Sequence, residues 1–200
     1  PGGTTILGDL DEHALEGNQP PQRVTLTAFY ADQTVISNID WREFVSAQEE
    51  ISEEAYKAAQ QDATIFNAVA HNDALQYYPD APGFNFYPAL VSYVQAESYC
   101  KWRTDKINQE RARKAGLEYD PASGNVPSPE SGLIVAPLML PTEAQWEYMA
   151  RGEIGTLNAD LVQETQRVYG WDGLSLREKS GPNRDKLMAN IKRGPGDYKG

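Results

Sequence analysis

A chain of 200 residues, 40% hydrophobic and 24% charged, has the apolar mass for a globular core and is too rich in apolar residues to be a disordered tail. Its net charge of −11 argues against non-specific binding to nucleic acid or to anionic lipid. No apolar run reaches the ~18 residues that a spanning helix needs, and the single cysteine, Cys100, excludes an internal disulfide and a multi-cysteine zinc site.

The charge is unevenly spread. Residues 1–100 hold 3 basic against 15 acidic residues, and residues 101–200 hold 15 against 14. Four Trp, eleven Tyr and thirteen Pro predict a loop-rich body in which rings fill the space between short elements. The chain opens at Pro1 without an initiator Met or a readable signal peptide, so a further upstream segment is expected. His13 and His71 stand far apart in polar surroundings, which leaves no paired-histidine metal motif.

Thr4 to Gly8 reads as a short strand ended by glycine, followed by an acidic loop and the turn residues Gly17 to Pro21. From Arg23 to Phe29, Val24 and Leu26 alternate with Thr25 and Thr27, the period of a half-buried strand. Ser37 and Asp40 have capping-box spacing ahead of Trp41, Phe44 and Val45, which predicts a helix over about Ile39 to Gln48. A second helix is expected from Ser52 towards Ala70, with Glu53 and Glu54 at its positive end. Tyr77 to Pro88 holds three prolines, a glycine and five aromatic residues, an extended loop whose rings are expected to pack as core.

Ser92 and Gln95 repeat the capping-box spacing, and Ala96, Tyr99, Cys100, Arg103 and Ile107 continue at helical intervals to a stop at Gly116. Arg103 interrupts that face and calls for a carboxylate or carbonyl partner. Residues 117–137, with Pro121, Gly124, Pro127, Pro129 and Gly132, read as an insertion loop. Thr142 and Gln145 then cap a short helix, with Pro141 and Trp146 as a staple-like pair and Trp146, Met149 and Ala150 as its expected buried face. The basic run from Arg177 to Lys199, seven basic against three acidic residues, reads as a solvated loop. Gly194-Pro195-Gly196 lacks phosphate-loop spacing, and two isolated histidines support no Ser-His-Asp set.

Taken in order, PGGTTILG at 1–8, RVTLTAFYADQTVISNIDWREF at 23–44, YPALVSYVQAESYCKW at 87–102, LPTEAQWEYMARG at 140–152, YGWDG at 169–173 and the Ala-Asn pair at 189–190 resemble the formylglycine-generating-enzyme family, also called the sulfatase-modifying-factor domain. The resemblance implies an α+β, loop-rich, C-type-lectin-like fold, with residues 1–200 one domain that continues past the C-terminus. It also implies that the copper-binding cysteine pair of the family's oxidase chemistry lies beyond Gly200, so that no copper site is expected within the chain. Cys100 matches a structural cysteine. The family's Ala-Asn pair points to a partial calcium site from the Asn190 side chain and the Ile191 carbonyl, with Asp197 as a further carboxylate. Met139 stands where the family commonly has arginine, and Tyr93 where it usually has tryptophan.

The insertion, the tract AESYCKWRTDKIN at 96–108 and the ending MANIKRGPGDYKG at 188–200 look more particularly like the family's gliding-motility lipoproteins of Bacteroidetes. That implies a non-catalytic scaffold of the type IX secretion machinery, lipid-anchored on the periplasmic face of the outer membrane through an anchor outside this chain. Its partners would be other secretion and motility lipoproteins and outer-membrane components, not nucleic acid. Two alternatives are a formylglycine-generating oxidase acting on sulfatase cysteines and a C-type-lectin-like binding module. The latter would use Tyr77, Tyr78, Phe84, Phe86 and Tyr87 as an aromatic surface.

Overall fold

Ser37 lies in extended backbone ahead of Asn38, and its side chain and backbone both meet the Asp40 carboxylate, so the predicted capping box starts α1 (Asn38–Glu49). In the computed structural model, which describes residues 2–8, 22–62, 64, 77–150 and 175–189, the chain forms two compact units, residues 32–140 and residues 1–31 with 141–200.

In the first unit α1 buries Asn38, Trp41 and Phe44. Trp41 stacks on Tyr99 with ring centroids 5.2 Å apart, and Phe44 meets both rings edge-on. Ala59 completes the buried cluster, and its carbonyl accepts the Trp41 indole N–H at 2.9 Å. Trp41 therefore enters the core with its only polar atom satisfied.

α2 (Glu53–Ala59) begins at Ser52, whose hydroxyl accepts from the Ala55 N–H at 3.1 Å. The helix expected to run towards Ala70 ends instead at Gln60, whose ψ of 139° is extended. Gln95 explains the stop. Its side-chain N–H group donates to the carbonyls of Ala58 and Gln60, and its oxygen accepts from the Ser92 N–H, so one amide ends α2 and opens α3 (Tyr93–Lys114). Gln61, released from the helix, donates to Asn38 and accepts from the Leu90 N–H.

The far end of α3 closes as expected. Gly116 takes φ +72°, with Leu117 N–H bonded to Ala112 O at 2.9 Å and Gly116 N–H to Arg113 O at 3.1 Å, a Schellman pair that only a left-handed residue permits. Beyond Tyr99, however, the buried residues of α3 are Thr104, Asn108 and Ala112. Thr104 accepts from Leu138 N–H and Asn108 from Val135 N–H, at 2.9 and 2.8 Å, so this polar row holds the returning segment of residues 117–138. That segment contains an isolated bridge between Asp120 and Asn125 and a 3-10 turn at Pro129–Ser131.

The second unit contains β1 (Gly3–Leu7) and β2 (Gln22–Leu26), antiparallel with Thr5 opposite Val24. Val24 and Leu26 are half-buried and Thr25 exposed, as the alternation predicts, although the strand ends before Thr27. α4 (Glu143–Ala150) packs on both strands. Its Thr142–Gln145 capping box forms, with N–H to oxygen distances of 2.9 and 3.2 Å. The buried face is a different one from that expected: Trp146 is 62% exposed, while Tyr148 is buried. Room for Tyr148 is left by Gly3 of β1, because a Cβ there would stand 2.7 Å from its hydroxyl. Residues 175–189 form a turn pinned by an Arg177–Leu187 bridge, and Arg177, Lys179, Arg184 and Lys186 are exposed, in keeping with a solvated basic loop.

Candidate functional site

Two features of the 32–140 unit have the composition of a binding site. The first is the loop from Tyr77 to Pro88, anchored from below by Asn38. That side chain is fully buried; its N–H group donates to Phe84 O at 2.8 Å and its oxygen accepts from the Tyr77 hydroxyl at 2.7 Å. Asn38 and Ile39 also bond through their backbone N–H groups to Tyr87 O and Asn85 O. Arg42 donates to Asp80 O at 3.0 Å and to the Asn85 side chain. The loop is thus fixed to α1 along its length.

Its rings do not all pack as core. Tyr77 is buried and Phe84 half-buried against it at a centroid distance of 5.4 Å, but Phe86 is 85% exposed and Tyr78 and Tyr87 are exposed too. Proline and glycine within the loop turn the chain so tightly at Pro82–Phe84 that successive rings cannot share one inner face.

The second feature is a cleft of about 320 Å³ between the segment Asp32 to Ile36 and α3. Arg103 finds its expected partner there. Its guanidinium grips the Asp32 carboxylate with both terminal nitrogens, one contact at 3.0 Å. The hydrogen bond from Arg103 holds the Asp32 carboxyl below its ordinary range. Asp40 and Glu43 enter the lining from α1, and Tyr99, Trp102 and Lys106 from α3. Tyr99 is only 6% exposed, and burial raises its phenol above the usual value. The Arg103 charge opposes that rise, and the Asp40, Asp32 and Glu43 carboxylates add to it. No hydrogen bond holds the Tyr99 hydroxyl among the described residues, and the Trp102 indole N–H is buried without an acceptor among them.

Cys100 is half-buried on α3, and burial pushes its thiol above the ordinary range, the opposite of what a nucleophile needs. Asn190, Ile191 and Asp197, expected as calcium ligands, lie outside the described residues, as do His13, His71 and the YGWDG stretch at 169–173. Among the described residues no three His, Cys, Asp or Glu side chains are grouped to hold a metal, and no helix is long and apolar enough to cross a membrane.

The sulfatase-modifying factor enzyme 1-like domain matches residues 1–198, nearly the whole chain. The chain belongs to that family. Among curated proteins it is similar to the formylglycine-generating enzyme of Mus musculus, 27% identical over 176 residues. That match covers 76% of this chain and 38% of the mouse protein, so the chain corresponds to well under half of that relative. Within the sulfatase-modifying factor framework, the segment 87–102 forms the end of the aromatic loop and the first turns of α3, and the segment 140–152 contains α4. The cleft escaped sequence reading, since nothing in the spacing of Asp32, Asp40, Tyr99 and Arg103 says that they meet. The one signal was Arg103 itself, a charge on an apolar helical face.

Proposed function

We propose that this chain is a non-catalytic member of the family, a scaffold that works through protein contacts within the gliding-motility and type IX secretion machinery of Bacteroidetes. The observation that carries the reading is the aromatic surface of Tyr78, Phe86 and Tyr87, exposed yet anchored to α1 through Asn38 and Arg42. A pre-ordered aromatic patch is the ordinary means of holding a protein partner, because little conformational entropy is lost on docking. The tracts at 96–108 and 188–200 support assignment to the gliding-motility lipoproteins of the GldJ type, with GldK the runner-up. On that assignment the fold is loop-rich and C-type-lectin-like, and the protein is anchored by lipid on the periplasmic face of the outer membrane. Other secretion and motility lipoproteins are then its partners. Calcium on Asn190, Ile191 and Asp197 belongs to the same reading.

The competing reading is an oxidase that converts a sulfatase cysteine to formylglycine, and the mouse relative's name favours it. One experiment separates the two. Full-length protein is assayed for aldehyde formation on a cysteine-containing sulfatase peptide, and in parallel for outer-membrane partners co-purified from cells, with and without Phe86→Ala and Tyr87→Ala. The scaffold reading expects no aldehyde and a loss of partners in the variants. Aldehyde formation overturns it.

A further inference from the structure

We infer that the cleft between the Asp32–Ile36 segment and α3 receives a basic side chain, lysine or arginine, presented by a partner protein. This deepens the scaffold reading and rests on it for its biological setting, although the chemistry comes from different residues. The decisive group is the Tyr99 hydroxyl. It belongs to a residue 6% exposed that lines the cleft, it has no hydrogen-bond partner among the described residues, and its electrostatic neighbours are Arg103, Asp40, Asp32 and Glu43. The ring is buried while the hydroxyl oxygen opens into the cleft, so it offers an incoming donor an acceptor that no protein group among the described residues occupies.

The charges around it select the ligand. Asp32 and Arg103 neutralise each other in their fork. Asp40 gives one oxygen to the Ser37 cap and keeps the other, and Glu43 is exposed without a salt bridge among the described residues. Against these two carboxylates stands Lys106 at the exposed edge of the lining. An ammonium or guanidinium that donates to Tyr99 and lies between Asp40 and Glu43 meets an acceptor and two opposite charges, whereas a carboxylate ligand meets repulsion from the same pair. The 32–140 unit, with 16 acidic against 8 basic residues, itself draws basic segments.

The test is titration calorimetry on the full-length protein with acetyl-Gly-Lys-Gly-amide, its Arg and Glu counterparts, and cadaverine as a free diamine. The Lys or Arg peptide is expected to bind in preference to the Glu peptide, and more weakly as salt rises. Glu43→Gln and Tyr99→Phe are each expected to weaken binding by roughly tenfold, the usual value of a hydrogen bond to a charged group. Because the Tyr99 hydroxyl bonds nothing in the described structure, Tyr99→Phe should leave the melting temperature unchanged, which separates lost binding from lost folding. Equal binding of the Glu peptide, no binding of any peptide, or binding of cadaverine alone would each overturn the proposal. Such a failure leaves the scaffold reading intact if Phe86→Ala still releases the co-purified partners.

Discussion

The Arg103 guanidinium holds the Asp32 carboxylate in a two-pronged grip across 71 positions of sequence, fastening the segment before α1 to the middle of α3. The pair is half-exposed, so its value is modest: Arg103→Ala should cost about 1 kcal/mol, and Arg103→Lys most of that, because an ammonium cannot reproduce the fork. The pH dependence has a defined sign. The folded-state pKa of Asp32 is depressed, so its contribution is present above the unfolded carboxyl pKa and is lost as pH falls through the folded value. Melting temperatures of the parent chain and Asp32→Asn should therefore differ at neutral pH and converge under acid conditions.

Gly3→Ala should destabilise the 1–31 and 141–200 unit by about 1–3 kcal/mol through overpacking, since the new methyl stands 2.7 Å from the Tyr148 hydroxyl. Once that oxygen is removed the next ring atom lies at 3.5 Å, an ordinary contact. Gly3→Ala with Tyr148→Phe should accordingly be more stable than the sum of the single changes, as read by a double-mutant denaturation cycle. Gly2→Ala should find no such rescue, because its methyl would meet backbone atoms of Leu26, Thr27 and Ala28 within 2.8 Å.

Asn38→Ala should be among the most damaging single changes. It strips partners from Tyr77, Gln61 and the Phe84 carbonyl at a site with no solvent access, for a loss of about 3 kcal/mol in urea denaturation. Phe86→Ala, by contrast, removes an exposed ring and should shift stability by no more than about 0.5 kcal/mol.

Cys100 should alkylate slowly at neutral pH. Burial raises its thiol above the usual range, so the thiolate fraction grows only at more alkaline pH, and the rate with iodoacetamide should rise there rather than near pH 7. Rapid modification of the folded protein at pH 7 would contradict this placement.

Local chemistry was legible in sequence wherever it acts within a few residues. The boxes at Ser37, Ser92 and Thr142, the cap at Gly116 and the alternation of Val24 and Leu26 all stand in the structure. What the sequence concealed was set by contacts distant along the chain. Trp146 has the greater apolar surface, yet the missing side chain of Gly3 at the start of β1 leaves the space that the Tyr148 hydroxyl occupies, so the helix turns that face inward. The helical pattern after Ser52 carries no sign that Gln95, thirty-five residues beyond Gln60, will take its terminal carbonyls. Thr104 and Asn108 are buried because the returning loop brings backbone N–H groups to them, a meeting that no local spacing announces.

The double use of Gln95 also bears on how this region comes apart. Because one amide serves the last carbonyls of α2 and the first N–H of α3, neither helix end can fray while the other keeps its full complement of bonds. Amide hydrogens of Ala55 to Ala59 and of the opening turn of α3 should therefore exchange with deuterium as one cooperative unit, and Gln95→Ala should let the two sets of rates drift apart.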